Sequence, residues 1–242
     1  MVPLRLFSKL LLILTTCWLL APAGHAEVNL FNHTYRVKGN GQTKAKAEAV
    51  FGFELKHGMQ PFRLHLTNGT AADITWTFSL NNSQYRPSVV YDFTHTVTVP
   101  AGEERVEEFY APVAPEFRNS GYTNHRYTLT APGLKSLEYN NSSNYDDDFP
   151  SIAISEKLAQ RNLTALASEA DKRGGRNFFG HSFRKLPADW RGLSGLDAIM
   201  LDEDAYRSLD KAQKRALITW VRMGGRLDIY TSKESKLADL KL

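Results

Sequence analysis

Cysteine is nearly absent from this 242-residue chain: Cys17 is the only one. Long apolar runs are also lacking, since the longest, Leu10 to Leu20, falls short of the ~20 residues that span a bilayer core. Charge of one sign is scarce too, with 30 Lys+Arg against 26 Asp+Glu. These absences exclude a disulfide scaffold, a polytopic membrane protein and a strongly basic nucleic-acid binder. No Gly-x-Ser-x-Gly, phosphate loop, His-Glu-x-x-His helix or EF-hand spacing occurs, so the motif-borne forms of acyl transfer, nucleotide binding, zinc and calcium chemistry are missing.

Residues 1–26 carry the pattern of a secretory signal. Arg5 and Lys9 open it, the apolar run follows, and Ala23-Gly24-His25-Ala26 forms a small-residue exit with cleavage expected after Ala26. A lipidated Cys17 is disfavoured, because Thr16 is larger than the usual residue before such a cysteine and the apolar run continues past it. Removal of the segment leaves 28 basic and 26 acidic side chains and no thiol. The expected product is exported, periplasmic or extracellular, without a cysteine nucleophile or thiolate metal site.

The remainder divides by periodicity. Residues 27–138 alternate apolar and polar residues in short runs, such as Phe62-Arg63-Leu64-His65-Leu66 and Ile74-Thr75-Trp76-Thr77-Phe78-Ser79-Leu80, with turn formers at Asn68-Gly69 and Pro100-Ala101-Gly102. This predicts an antiparallel, immunoglobulin-like β-sandwich. Residues 139–150, rich in Asn, Ser and Asp, are expected to be a linker. From 151 to 242 the period shifts toward 3.6. Strands are expected at 151–155, 197–201 and 226–230, with a helix from Leu158 to Ala170 and a second with Leu209, Ala212, Ala216, Leu217, Trp220 and Val221 on one stripe. Asp210 and Gln213 are placed for a capping box, and Gly224-Gly225 for a stop. Strand and helix alternating in this way imply a parallel α/β sheet, so the chain as a whole is α+β and multidomain.

The stretch Leu186-Pro187-Ala188-Asp189-Trp190-Arg191-Gly192-Leu193, the strand 197–201, and Leu209 to Tyr230 ending in Trp220-Val221-Arg222-Met223-Gly224-Gly225-Arg226-Leu227 resemble the class I glutamine amidotransferase-like (flavodoxin-like) domain of uncharacterised bacterial envelope proteins. In that family such a domain follows a β-sandwich and precedes a membrane segment. The chain departs from the catalytic pattern, which needs a cysteine at a strand-to-helix elbow, so the resemblance implies the fold without the hydrolysis. Three or four strands stand where the fold has five or more, and the reading favoured is a fragment of a longer protein with an anchor downstream.

The candidate chemistry is sparse. Asp202, Glu203 and Asp204 follow the strand 197–201, at the carboxyl edge where open α/β sheets bind ligands, and His181 lies in a neighbouring segment. Together they would serve a hydrolase or metal-dependent enzyme, whereas the plainer expectation is a loop whose acids favour the next helix N-terminus. Asp146-Asp147-Asp148 is expected to be solvated linker. His65 and His95 could share a sandwich face. Trp76, Tyr85 and Tyr91 would form the platform of a sugar- or peptide-binding module if exposed, and Trp190 with Arg191 is the expected surface contact. No catalytic residue, cofactor or metal is assigned. The leading expectation is a non-catalytic protein for binding or assembly in the bacterial cell envelope, its partner an unknown envelope protein or ligand and not nucleic acid.

Overall fold

The computed structural model describes residues 28–36, 41–53, 55, 57–84, 90–113, 123–143, 150–160, 180–183 and 185–231. The signal segment, Asp146-Asp147-Asp148 and the expected helix beyond residue 160 lie outside them. Eight antiparallel strands come first: β1 (Val28–Arg36), β2 (Gln42–Phe53), β3 (Met59–Thr67), β4 (Ile74–Gln84), β5 (Val90–Val99), β6 (Glu104–Pro112), β7 (Thr123–Thr130) and β8 (Leu137–Ser143). They form two four-stranded sheets, ordered β1-β2-β3-β6 and β5-β4-β7-β8. The Asn-rich run 139–143, expected in the linker, pairs with β7 as the end of β8, Tyr139 opposite Tyr127. Composition alone favoured a loop there; the alternation of Leu137 and Tyr139, both packed on the core, decides for a strand.

The sandwich core follows from period two. Phe62, Leu64 and Leu66 of β3 face Trp76, Phe78 and Leu80 of β4, all buried. Phe62 stacks on Phe109 with ring centroids 5.5 Å apart, and Phe78 meets Phe109 edge-on at 5.0 Å. Ala45, Ala47 and Ala49 of β2 supply small inward side chains. A bulge between Asn29 and Phe31 in β1 turns both Leu30 and Phe31 into the core, which strict alternation would forbid. Asn68 ties the open ends together: its Nδ2 donates to the carbonyls of Ala72 (2.8 Å), Val99 (2.9 Å) and Pro100 (3.1 Å), while its Oδ1 accepts from the Thr70 amide and hydroxyl.

Parity separates His65 and His95, the two histidines that could have shared a face. His65 points outward from β3 and meets Glu48 at 3.2 Å, whereas His95 shares the inward parity of Val97 and Val99 and stacks on Phe109 at 4.3 Å. Trp76 is fully buried and takes no part in an exposed platform; Tyr85 and the side chain of Tyr91 lie outside the described residues.

The third sheet is parallel, ordered β10-β9-β11-β12, from β9 (Ile152–Ser155), β10 (Gly180–Phe183), β11 (Ala198–Asp202) and β12 (Arg226–Tyr230). Between β11 and β12 lie α1 (Glu203–Ser208) and α2 (Lys211–Arg222). The expected capping box is present, with Gln213 N donating to Asp210 Oδ1 at 2.8 Å and Asp210 N to Gln213 Oε1 at 3.0 Å. Tyr206, Ala216, Leu217 and Trp220 cover one face of the sheet with Ala153, Ile199 and Leu201, whereas Ala212 and Val221, expected on the same stripe, are exposed at its margins. Leu158 and Ala159, in the helical turn opening at 156, pack with Ile152, Ile154, Ala198 and Met200, the residues of opposite parity. Among the described residues, α1 and α2 thus pack on one face and the helical turn 156–160 on the other, in keeping with a parallel sheet buried on both sides.

His125 supplies a test in the sandwich. It is buried on β7, its Nδ1 donating to Asn82 Oδ1 at 2.7 Å, and burial pushes its pKa down from 6.5 to about 4. The unfolded chain then binds a proton that the folded chain refuses, so this contribution is complete above pH 6.5 and is lost as pH falls toward 4. Urea titrations from pH 7 to 4 should show stability falling by up to about 3 kcal/mol, with the fall reduced in His125→Gln; an equal fall in both would refute the assignment.

Candidate functional site

The carboxyl edge of the parallel sheet changes direction between its two central strands. β10 lies on one side of β9 and β11 on the other, which makes the gap between the ends of β9 and β11 the topological switch point where such sheets hold ligands. Ser155 ends β9 and Asp202 ends β11. The Ser155 hydroxyl donates to Asp202 Oδ2 at 2.7 Å and accepts from the Asp202 amide at 3.2 Å, joining the two strand ends side chain to backbone. The other carboxylate oxygen, Oδ1, accepts from the Ala205 amide at 3.0 Å and caps α1. Partial burial pushes the Asp202 carboxyl up, but the Ser155 hydrogen bond, the two amides and the nearby Lys157 charge outweigh it and hold the pKa below the ordinary value.

Glu203 and Asp204 occupy the first turn of α1. Glu203 accepts from Arg207 Nε at 2.9 Å and Nη2 at 2.6 Å, one turn along the helix, and Asp204 pairs with Lys157 from the segment after β9. Each acid of the trio therefore has a partner in its own α/β unit. His181 is in β10, opposite Ala153 and two strands from β11. At about 4.8 Å between strands its backbone stands roughly 10 Å sideways from that of Asp202. Among the described residues no group of three or more His, Cys, Asp or Glu is placed to hold a metal ion.

Trp190 and Arg191 sit in a 3₁₀ turn, Trp190–Leu193, that closes the junction between the sandwich and the α/β unit. Trp190 is half-buried against a second core in which Val50, Phe51 and Leu55 of the sandwich side meet Phe183, Leu186, Leu193, Leu196 and Ile199. Arg191 lies over the Tyr110 ring at 5.7 Å and forks onto Asp189, whose carboxyl it holds below the ordinary range. Glu108 binds both sides. It accepts from Arg63 at 3.1 Å, from the Tyr110 hydroxyl at 2.6 Å and, at 3.4 Å, from the Ala188 amide. Burial and the neighbouring Glu108 raise the Tyr110 pKa strongly, so the phenol stays a donor. Glu108 and Tyr110 escaped the sequence reading; the signal was a paired carboxylate and phenol on the outward parity of β6, which alternation alone assigns to solvent.

Two glycines permit this approach. Gly58, at φ +70, would place a Cβ 2.5 Å from the Ser194 carbonyl carbon, and Gly192 would place one 2.6 Å from the Tyr110 ring. Met59 N donates to Ser194 Oγ at 3.0 Å across the same seam.

No protein-family model matches this chain, and no curated protein does. Among solved structures, a calcium-binding mutant of Bacteroides uniformis beta-glucuronidase 2 aligns at 12% identity with a TM-score of 0.30, over 86% of this chain and 24% of that one. The Clostridium thermocellum xylanase 10B CBM22-1-GH10 modules complexed with xylohexaose align at 11% identity with a TM-score of 0.28, over 72% of this chain and 35% of that one. The chain thus spans about a quarter to a third of the length of these neighbours. Likeness at this level carries no argument about chemistry.

Asp202 links β9, β11 and α1. Asp202→Ala should cost about 1–2 kcal/mol by removing a helix cap and leaving Ser155 without its acceptor. Ser155→Ala in the Asp202→Ala background should cost less than alone, because the shared bond is already gone; additive losses in a double-mutant cycle would contradict the link.

Proposed function

We propose that this is a non-catalytic exported protein for binding or assembly in the bacterial cell envelope, in which a β-sandwich and an amidotransferase-like α/β unit act as one scaffold. The observation that carries the reading is the engagement of the switch-point acids: Asp202 caps α1 and holds Ser155, Glu203 holds Arg207, and Asp204 holds Lys157. A general base or metal ligand needs lone pairs turned to a substrate, whereas both oxygens of Asp202 are turned to the Ser155 hydroxyl and the Ala205 amide, and one oxygen each of Glu203 and Asp204 to a cation of the same unit. The missing thiol in residues 27–242 supports the reading too, since amidotransferase hydrolysis requires one. The seam supports a scaffold over two jointed modules, because a core shared by Leu55, Leu193 and Leu196 resists hinge motion.

The test is a bacterial strain lacking the gene, complemented by tagged variants. The wild-type product should be recovered outside the cytoplasm with Glu27 at its N-terminus. Asp202→Asn/Glu203→Gln/Asp204→Asn, if folded, should complement to the wild-type level. Failure to complement with an unchanged Tm would favour the alternative of an extracytoplasmic hydrolase or metal-dependent enzyme, and recovery of an uncleaved cytoplasmic chain would overturn export.

A further inference from the structure

The outward faces of the two sandwich sheets differ in kind. On the sheet β1-β2-β3-β6 the outward rows carry charge, with Lys46 and His65 side by side and Glu48, Arg63 and Glu108 in line across three strands. On the sheet β5-β4-β7-β8 the outward positions read Thr94-x-Thr96-x-Thr98 on β5, Thr75-x-Thr77-x-Ser79 on β4 and Thr128-x-Thr130 on β7. The register aligns them: Thr75 lies opposite Thr98, Thr77 between Thr96 and Thr130, and Ser79 between Thr94 and Thr128. The result is a two-dimensional hydroxyl lattice, about 4.8 Å across strands and 6.8 Å along them. Every one of these side chains is exposed or half-exposed, and no charged residue interrupts the lattice. Charge returns at its border, where Asp92 pairs with Asn81, Glu138 stands opposite Thr128 and accepts from Arg126 at 2.8 Å, and Arg105 Nη1 donates to the Thr98 carbonyl at 3.1 Å.

We infer that this face binds a neutral, hydroxyl-rich polymer: a single glycan chain laid across β5, β4 and β7. Matching of charge state selects the partner. A nucleic acid or acidic polymer would need a row of cations, and the lattice has none. A protein partner would need buried anchors such as Trp, Tyr or Arg, also absent within it. An extended peptide adds to a sheet edge and not to a face. A planar crystal such as ice fails on shape, since adjacent strands rotate by roughly 20° and a rigid lattice cannot follow them. A flexible chain of sugars follows the twist and offers a donor or acceptor to each row. Thr side chains suit this role because β-branching fixes χ1, so the hydroxyls are ordered before the ligand arrives. The Thr75 and Thr98 hydroxyls already bond each other at 2.9 Å. With no aromatic platform each contact is weak, and affinity accrues along a repeating polymer.

The inference supplies a ligand class for the binding reading above and rests on it in that sense, but its test is separate from those of export and of the acidic trio. Purified full chain, freed of residues 1–26, is passed over immobilised amylose, dextran and galactomannan at low and high salt. Retention is expected on at least one resin, and it should change less than about twofold with salt because no counterions are released. Thr77→Val/Thr96→Val/Thr130→Val keeps shape and strand propensity, so its Tm should hold while retention falls about tenfold or more. The inference is overturned by absence of retention on all three resins, by retention lost at high salt, or by retention unchanged in the folded triple variant. It is equally overturned if the lattice instead pairs two copies, seen as a dimer in sedimentation that the variant abolishes, or shapes ice, seen as thermal hysteresis without glycan retention.

Discussion

β2 belongs to two cores at once, and the arrangement of the molecule depends on that. Its inward alanines, Ala45, Ala47 and Ala49, complete the sandwich, while Val50 and Phe51 at its end pack with Phe183, Leu186 and Leu193 of the α/β unit. The chain then returns through Leu55 and Gly58 before starting β3, and both are pressed against the Ser194-Gly195 turn. A strand that left the sandwich without this second core would expose Val50, Phe51 and Leu55 together, and at about 25 cal/mol per Å² of apolar surface that exposure is costly. Docking of the parallel sheet is therefore part of folding the sandwich sheet, and the polar seam of Arg63, Glu108, Tyr110 and Ala188 fixes its direction.

From that constraint follows the position of the switch point. The face of the parallel sheet formed by Ile199, Leu201 and Ala153 is committed to the shared core through α1, α2 and the 3₁₀ turn. At its carboxyl edge the polar groups serve the strand ends: Ser155 and Asp202 close the gap between β9 and β11. The charged row of Arg63 and Glu108 belongs to the seam itself, and the hydroxyl rows of β5, β4 and β7 face outward away from it.

Much of this was legible from the residues. Alternation located β3, β4, β5, β6 and β7, and the apolar stripe with Asp210 and Gln213 located α2 and its cap, because these signals are local, although the stripe read from the sequence is too wide by Ala212 and Val221, which are exposed. β8 was not legible, since Asn140, Asn141, Ser142 and Ser143 are poor strand formers that tertiary pairing overrides. Nor was the seam. Val50-Phe51 reads as an ordinary strand continuation, and nothing local announces that Gly58 and Gly192 are small because another backbone and a tyrosine ring lie against them. The acids at 202–204 were placed correctly at a sheet edge, but their partners Ser155, Lys157 and Arg207 depend on which strands become neighbours.

Native-state hydrogen exchange tests the shared core most directly. The account predicts that the most protected amides of β3 and of β11, those of Leu64 and Leu201 among them, open with the same free energy, and that Leu55→Ala lowers both by the same amount, about 2–4 kcal/mol. Separate opening free energies, with Leu55→Ala lowering only one sheet, would contradict it and make the sandwich and the α/β unit independent domains.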